Sequence, residues 1–183
     1  MKKILFSLIL VFGVITSNAQ SNSKSFYYDG IEMHNVKGWS ITPSKDEAHT
    51  YITCTKPFGA LSLAFMNITK SRIKAHNAMN LNNELERLLS QEVEKLIESS
   101  MNGKGRNALR IKETGNIMDG YINATPAKYV DVTYQKGVKQ RIYMMVVSDY
   151  FFTIACSTGT GKLDKTFSKI LSSFTFTPES KMY

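Results

Sequence analysis

The chain has 183 residues, the length of one ordinary domain, and at that size a fold buries enough surface to need neither metal nor disulfide. Its 23 Lys+Arg outnumber 15 Asp+Glu, giving a net charge of +8. The excess is scattered through "KSRIK", "RIK" and "KGVKQR" with no RNP, zinc or helix-turn-helix pattern, which argues against nucleic acid. An anionic envelope surface or an acidic protein suits this charge better. Plain solubilisation is its simplest account.

The first residues, "MKKILFSLILVFGVITSNAQ", carry a cationic start at Lys2 and Lys3, an apolar run from Ile4 to Ile15, and Ser17-x-Ala19 as a small-residue cleavage site. This is the pattern of a secretory signal peptide, and the apolar run is too short to span a bilayer. Cleavage near Ala19 is expected, leaving a periplasmic or secreted chain. Without Lys2 and Lys3 the 23 basic residues become 21 against 15, an excess of +6. The predicted organisation is a leader at 1–19, a polar spacer at 20–25, one α+β domain at 26–178 and a polar tail at 179–183.

The mature chain opens with "FYYDGIEMHNVKGWSITP", in which Asp29-Gly30 and Lys37-Gly38 are turn signals and Pro43 closes the third short segment. "AHTYITCTKP" alternates as a strand, with Ile52 and Cys54 on one face and Tyr51, Thr53 and Thr55 on the other. "FGALSLAFMNI" follows as its hairpin partner, with Leu61, Leu63 and Phe65, or their alternates, facing the core. From Ala78 to Met101, Leu81, Leu85, Leu88, Leu89, Val93, Leu96 and Ile97 recur at three- and four-residue steps. That spacing predicts an amphipathic helix, with Asn77, Asn80 or Asn82 as its cap and Asn102-Gly103 as its exit.

Four alternating runs come next, broken at Asp119-Gly120, Lys136-Gly137 and Ser148-Asp149, which predicts an antiparallel meander of four strands. "KLDKTFSKILSSF" then sets Leu163, Phe167, Ile170, Leu171 and Phe174 on one helical stripe. The expected fold is therefore α+β: an antiparallel sheet of six to seven strands sandwiched by a long central helix and a C-terminal helix.

Chemistry is harder to find. "CSTGTGK", Cys156 to Lys162, superficially suits nucleotide phosphates, but a P-loop needs Gly where Cys156 stands and a hydroxyl where Leu163 stands. Gly159 and Gly161 serve a tight turn, with Thr160 as a capping hydroxyl, and no nucleotide is expected. His34, His49 and His76 share no metal-ligand spacing, and there is no Gly-x-Ser-x-Gly elbow. No catalytic residue, cofactor or metal is assigned, and the protein is expected not to be an enzyme. Cys54 and Cys156 lie in phase with apolar neighbours, as small buried hydrophobes do; a disulfide between them is the alternative that an oxidising compartment allows. Trp39, Tyr27 and Tyr28 form an aromatic group that serves either as a recognition face or, for Trp39, as a cover for one end of the core.

The order of these segments resembles the PsbP-like family, the extrinsic photosystem protein and its non-photosynthetic bacterial relatives. The matching pieces are "VKGWSITPS", "HTYITCTKP", "ALSLAFMNI", the long helix, "ATPAKYVDVTY", "RIYMMVVSDYFFTIACST" and "FSKILSSFTF". The resemblance implies a sheet between helices and a non-catalytic accessory or protein-binding role, with no site residue carried over. The expected function is thus an exported accessory or protein-binding domain, neutralising or assisting a protein partner in the periplasm; peripheral membrane contact is compatible with its charge. The alternative is a carrier of a small apolar ligand held between sheet and helix.

Overall fold

The computed structural model describes residues 25–58, 62–72, 81–102, 110–159 and 161–177. The expected leader, the helix cap at Asn77 or Asn80, Thr160 and the tail lie outside them. More than half of the described residues are in strands. Eight strands form one antiparallel sheet: β3 Ser40–Lys45, β4 His49–Phe58, β5 Ser62–Arg72, β6 Ile111–Thr114, β7 Met118–Ile122, β8 Thr125–Tyr134, β9 Lys139–Val147 and β10 Tyr150–Thr158. Their order is β3-β4-β5-β10-β9-β8-β6, with β7 also pairing β8. A second sheet of three strands joins β1 Ser25–Tyr28, β2 Ile31–His34 and β11 Thr175–Phe176.

Turn chemistry explains most of these pairings. Tyr28 faces Ile31 across Asp29-Gly30, whose φ values of 50° and 77° are those of a two-residue primed turn. Val147 faces Tyr150 across Ser148-Asp149, and Gly137 at φ 78° closes β8 to β9. Asp119-Gly120, expected to be a turn, instead lies inside β7. Gly120 is needed there for a different reason: a Cβ would stand 2.8 Å from the Tyr129 ring across the strand pair. The turn itself falls at Asn123-Ala124, at φ 43° and 64°. The predicted meander keeps four rungs, but its first rung is broken into β6 and β7, which pair end to end along the same edge of β8. Pro43 sits within β3 rather than ending it, which an edge strand tolerates because one row of its backbone groups has no ladder to serve.

Two cores lie on opposite faces of the large sheet. On one face Ile52, Cys54, Met66, Ile68, Ile154 and Cys156 are buried under Met33, Trp39, Phe167 and Phe174. The cover is helix α2, Leu163–Leu171, together with the three-stranded sheet. The other face buries Val130, Val132, Ile142 and Met144 under Leu85 and Leu89 of helix α1, Leu81–Asn102. Here the expected architecture needs correction. The sheet is not sandwiched between a long central helix and a C-terminal helix; the protein is mostly β, with an eight-stranded and a three-stranded sheet and two helices that each cover part of a face. The physical reason is in the alternation. On α1's side, β4 and β5 present Thr53 and Asn67 to solvent, so the apolar surface that a helix could bury centres on β8 and β9, with Phe151 and Ala155 of β10 and Ile111 of β6 at its margins.

The small sheet is fastened to the large one by an ion cluster. The Asp29 carboxylate accepts hydrogen bonds from Lys45 Nζ at 2.9 Å, from Lys70 Nζ at 3.2 Å and from the Thr50 hydroxyl. Lys70 Nζ also donates to the Asp29 carbonyl at 2.8 Å and lies 4.1 Å from the centre of the Tyr150 ring. The Lys70 side chain is 5% exposed and that of Asp29 12%.

Candidate binding cleft

Strand register builds one row across six strands: Ile41, Cys54, Met66, Cys156, Arg141 and Asp131 stand opposite one another in turn. Residues directly opposite share a face. The row therefore starts in the core and ends in charge. At that polar end α2 leaves the sheet uncovered, and a cleft of about 250 Å³ opens. Arg141, Tyr143 and Cys156 form its floor, and α2 supplies the wall through Leu163 and Phe167, then Asp164 and Ser168, each pair one helical turn apart. Tyr121 and Asn123 of the β7–β8 hairpin form the rim. Asn123 fixes that rim by donating from Nδ2 to the Phe174 carbonyl at 2.6 Å.

Arg141 organises the floor. Its Nε and Nη2 donate to the two oxygens of Asp131 at 2.6 and 2.8 Å, and its Nη1 donates to Asp164 Oδ1 at 2.7 Å. The planar fork suits this two-sided grip, which lysine could not reproduce. The guanidinium carbon lies 4.6 Å from the centre of the Tyr129 ring. Hydrogen bonding to Asp131 holds the Arg141 proton more tightly still, against the opposing effect of burial. Burial raises the Tyr143 phenol, with Arg141 pulling the other way. Both thiols are pushed up by burial, Cys54 to about 12, so neither is poised as a nucleophile.

The residues singled out from sequence fall in different places. Cys54 and Cys156 are free and flank Met66, two strands apart. Two strand spacings amount to roughly 9–10 Å, beyond the ~7 Å that a disulfide spans; the bridge held open by the sequence reading is not formed. Trp39 is 2% exposed and packs on Phe167 at 5.7 Å between ring centres, so it covers the core and offers no surface. Tyr28 is half-buried and stacks on Phe26, whereas Tyr27 is 63% exposed. None of the three touches the cleft. His34 meets Ser25 and Glu32, and His49 meets Asp46; among the described residues no three His, Cys, Asp or Glu side chains gather as metal ligands. Tyr121, 72% exposed, and Arg141 were not recognised beforehand. For Arg141 a signal was present: Asp131 and Arg141 fall among the valines, isoleucine and methionines of "TPAKYVDVTY" and "KQRIYMMVV", where a charge asks for a partner; Tyr121 carried none.

No protein family and no curated protein matches the chain. The resemblance to the PsbP-like family accordingly gains no support. Among solved structures, the chain is similar to a protein from Bacteroides thetaiotaomicron VPI-5482 at a TM-score of 0.51 and 12% identity, over 89% of this chain and 52% of that one. The chain thus spans about half the length of that protein, and the likeness is one of fold. LpqN, involved in cell envelope biogenesis of Mycobacterium tuberculosis, aligns at a TM-score of 0.44 and 13% identity over 81% of this chain and 83% of its own.

Proposed function

We propose that this is an exported, non-catalytic accessory domain that holds a protein partner, with one partner side chain seated in the cleft beside Arg141. The cleft carries the reading. Its volume of about 250 Å³ is room for a single large side chain and falls below the ~300–1,000 Å³ typical of small-molecule sites. Its lining joins an apolar wall to an ion pair already satisfied by its own carboxylates, which favours an anchoring contact over turnover. Tyr121 on the rim, 72% exposed, adds apolar surface beside it. Export rests on the leader pattern, and among the described residues no helix is long and apolar enough to cross a membrane.

Filling the cleft tests this. Immobilised wild-type protein is expected to capture a specific partner from an envelope extract. Ser168→Trp, which places an indole in the cleft, is expected to reduce that capture at least tenfold, whereas Lys169→Ala, on the neighbouring surface, leaves it unchanged. Equal capture by all three proteins, or none by the wild type, defeats the proposal.

A further inference from the structure

The basic residues that look scattered in sequence are gathered by strand register at one end of the large sheet. Lys56, Ala64, Thr158, Lys139 and Thr133 stand opposite one another in a single row across β4, β5, β10, β9 and β8. Lys136 is in the β8–β9 turn, and Lys162 follows β10; a Cβ on its neighbour Gly161 would lie 4.0 Å from Lys139 Cε. Lys165 is one step further along the first turn of α2. At the far side, Gln135 N donates to the Arg110 carbonyl, which brings Arg110 and Lys112 of β6 alongside. All but Lys56 are exposed. From β4 to β6 this rim crosses five strand spacings, roughly 24 Å.

The opposite end of the same strands is built differently. There Asp46, Glu47 and Asp149 occupy the loops and turns and Asp119 lies on β7; Lys45 is matched to Asp29 and Lys128 to Asp119 and Glu86, with exposed Arg72 at the end of β5 beside them. At the basic end the acids on these elements are Glu113, which closes the row, and Asp164, already held by Arg141. Among the described residues of these strands, their turns and α2, positive charge is therefore concentrated at this end.

We propose that this rim docks the protein on a surface of anionic lipid headgroups. Lysine predominates over arginine, and the cations are spread along a line with no cradle of converging donors. That arrangement matches a plane of diffuse negative charge rather than one phosphate or carboxylate, which a bidentate arginine would grip. An acidic protein face is the competing partner, and the test separates the two. The proposal is independent of the cleft.

The purified protein is sedimented with vesicles of phosphatidylcholine alone and of phosphatidylcholine with about 30% phosphatidylglycerol. Binding is expected only to the anionic vesicles, and it is expected to vanish as salt rises from about 0.02 M to about 0.5 M. The triple variant Lys136→Glu, Lys139→Glu, Lys165→Glu should lose at least ~30-fold in vesicle affinity. A control with the same change of net charge away from the rim, Arg72→Glu, Arg87→Glu, Lys169→Glu, should stay within about threefold of wild type. Thermal melts establish that both are folded, and the glutamine versions of the same three lysines replace the triple variant if it is not. Failure of the wild type to bind anionic vesicles, or an equal loss in the control, overturns the proposal. Retention on a poly-glutamate matrix without vesicle binding also overturns it, in favour of an acidic polypeptide.

Discussion

Two ion clusters use nearly the same chemistry in opposite surroundings. Around Asp29, a carboxylate and an ammonium are closed in, with side chains 12% and 5% exposed. Around Arg141, a guanidinium 17% exposed grips Asp131 and Asp164, whose side chains are 45% and 81% exposed. The first joins two sheets. The second borders a cleft and keeps one partner in water. Burial, not residue type, separates a fastening from a candidate contact site: an ion whose partner is removed in the interior is stranded there, whereas one at the cleft is rehydrated.

The sharpest way to break this comparison is Lys70→Ala. It leaves the Asp29 carboxylate largely buried with Lys45 at its exposed side, and a loss of about 3–5 kcal/mol in urea unfolding is expected. Arg141→Ala should cost less, about 1–2 kcal/mol, because water reaches Asp131 and Asp164. If the two losses are equal, exposure does not distinguish the clusters. A pH series sharpens the contrast further. Burial raises Cys54 and Tyr134 to about 12, above their ordinary 9 and 10, so the folded state holds these protons more tightly than the unfolded chain. Their contribution is full below pH ~9 and is lost as pH rises through ~12, with a slope of about 1.4 kcal/mol per pH unit for each group deprotonated only on unfolding. Arg141 pulls the buried Tyr143 phenol and Cys156 thiol down against burial, so Arg141→Ala lets both rise further and should show a steeper alkaline decline in stability than wild type. An identical decline in the two proteins would show that the cleft does not reach the core's ionisation.

Much of the fold was legible because it rests on local rules. Asp29-Gly30, Lys37-Gly38, Lys136-Gly137 and Ser148-Asp149 each turn the chain where glycine, asparagine-like or small polar residues permit a left-handed backbone. The leucine spacing fixes α1, and the Leu163–Phe167–Ile170 stripe fixes α2, with Phe174 packed just past its end. Gly120 misled because a glycine that admits a neighbouring ring looks in sequence like one that admits a positive φ. Asn123-Ala124 was missed because alanine rarely accepts φ 64°.

The amino-acid sequence by itself determined where strands and helices form, since period and turn chemistry act over a few residues. It could not divide those strands between two sheets, because a period of two says only that alternate residues share a face, not what covers that face. Register across the sheet was decided by tertiary structure alone. Pairing of distant segments separates Cys54 from Cys156 by one strand, sets Arg141 between Asp131 and Asp164, and draws lysines up to 109 residues apart in the chain, Lys56 and Lys165, to one rim.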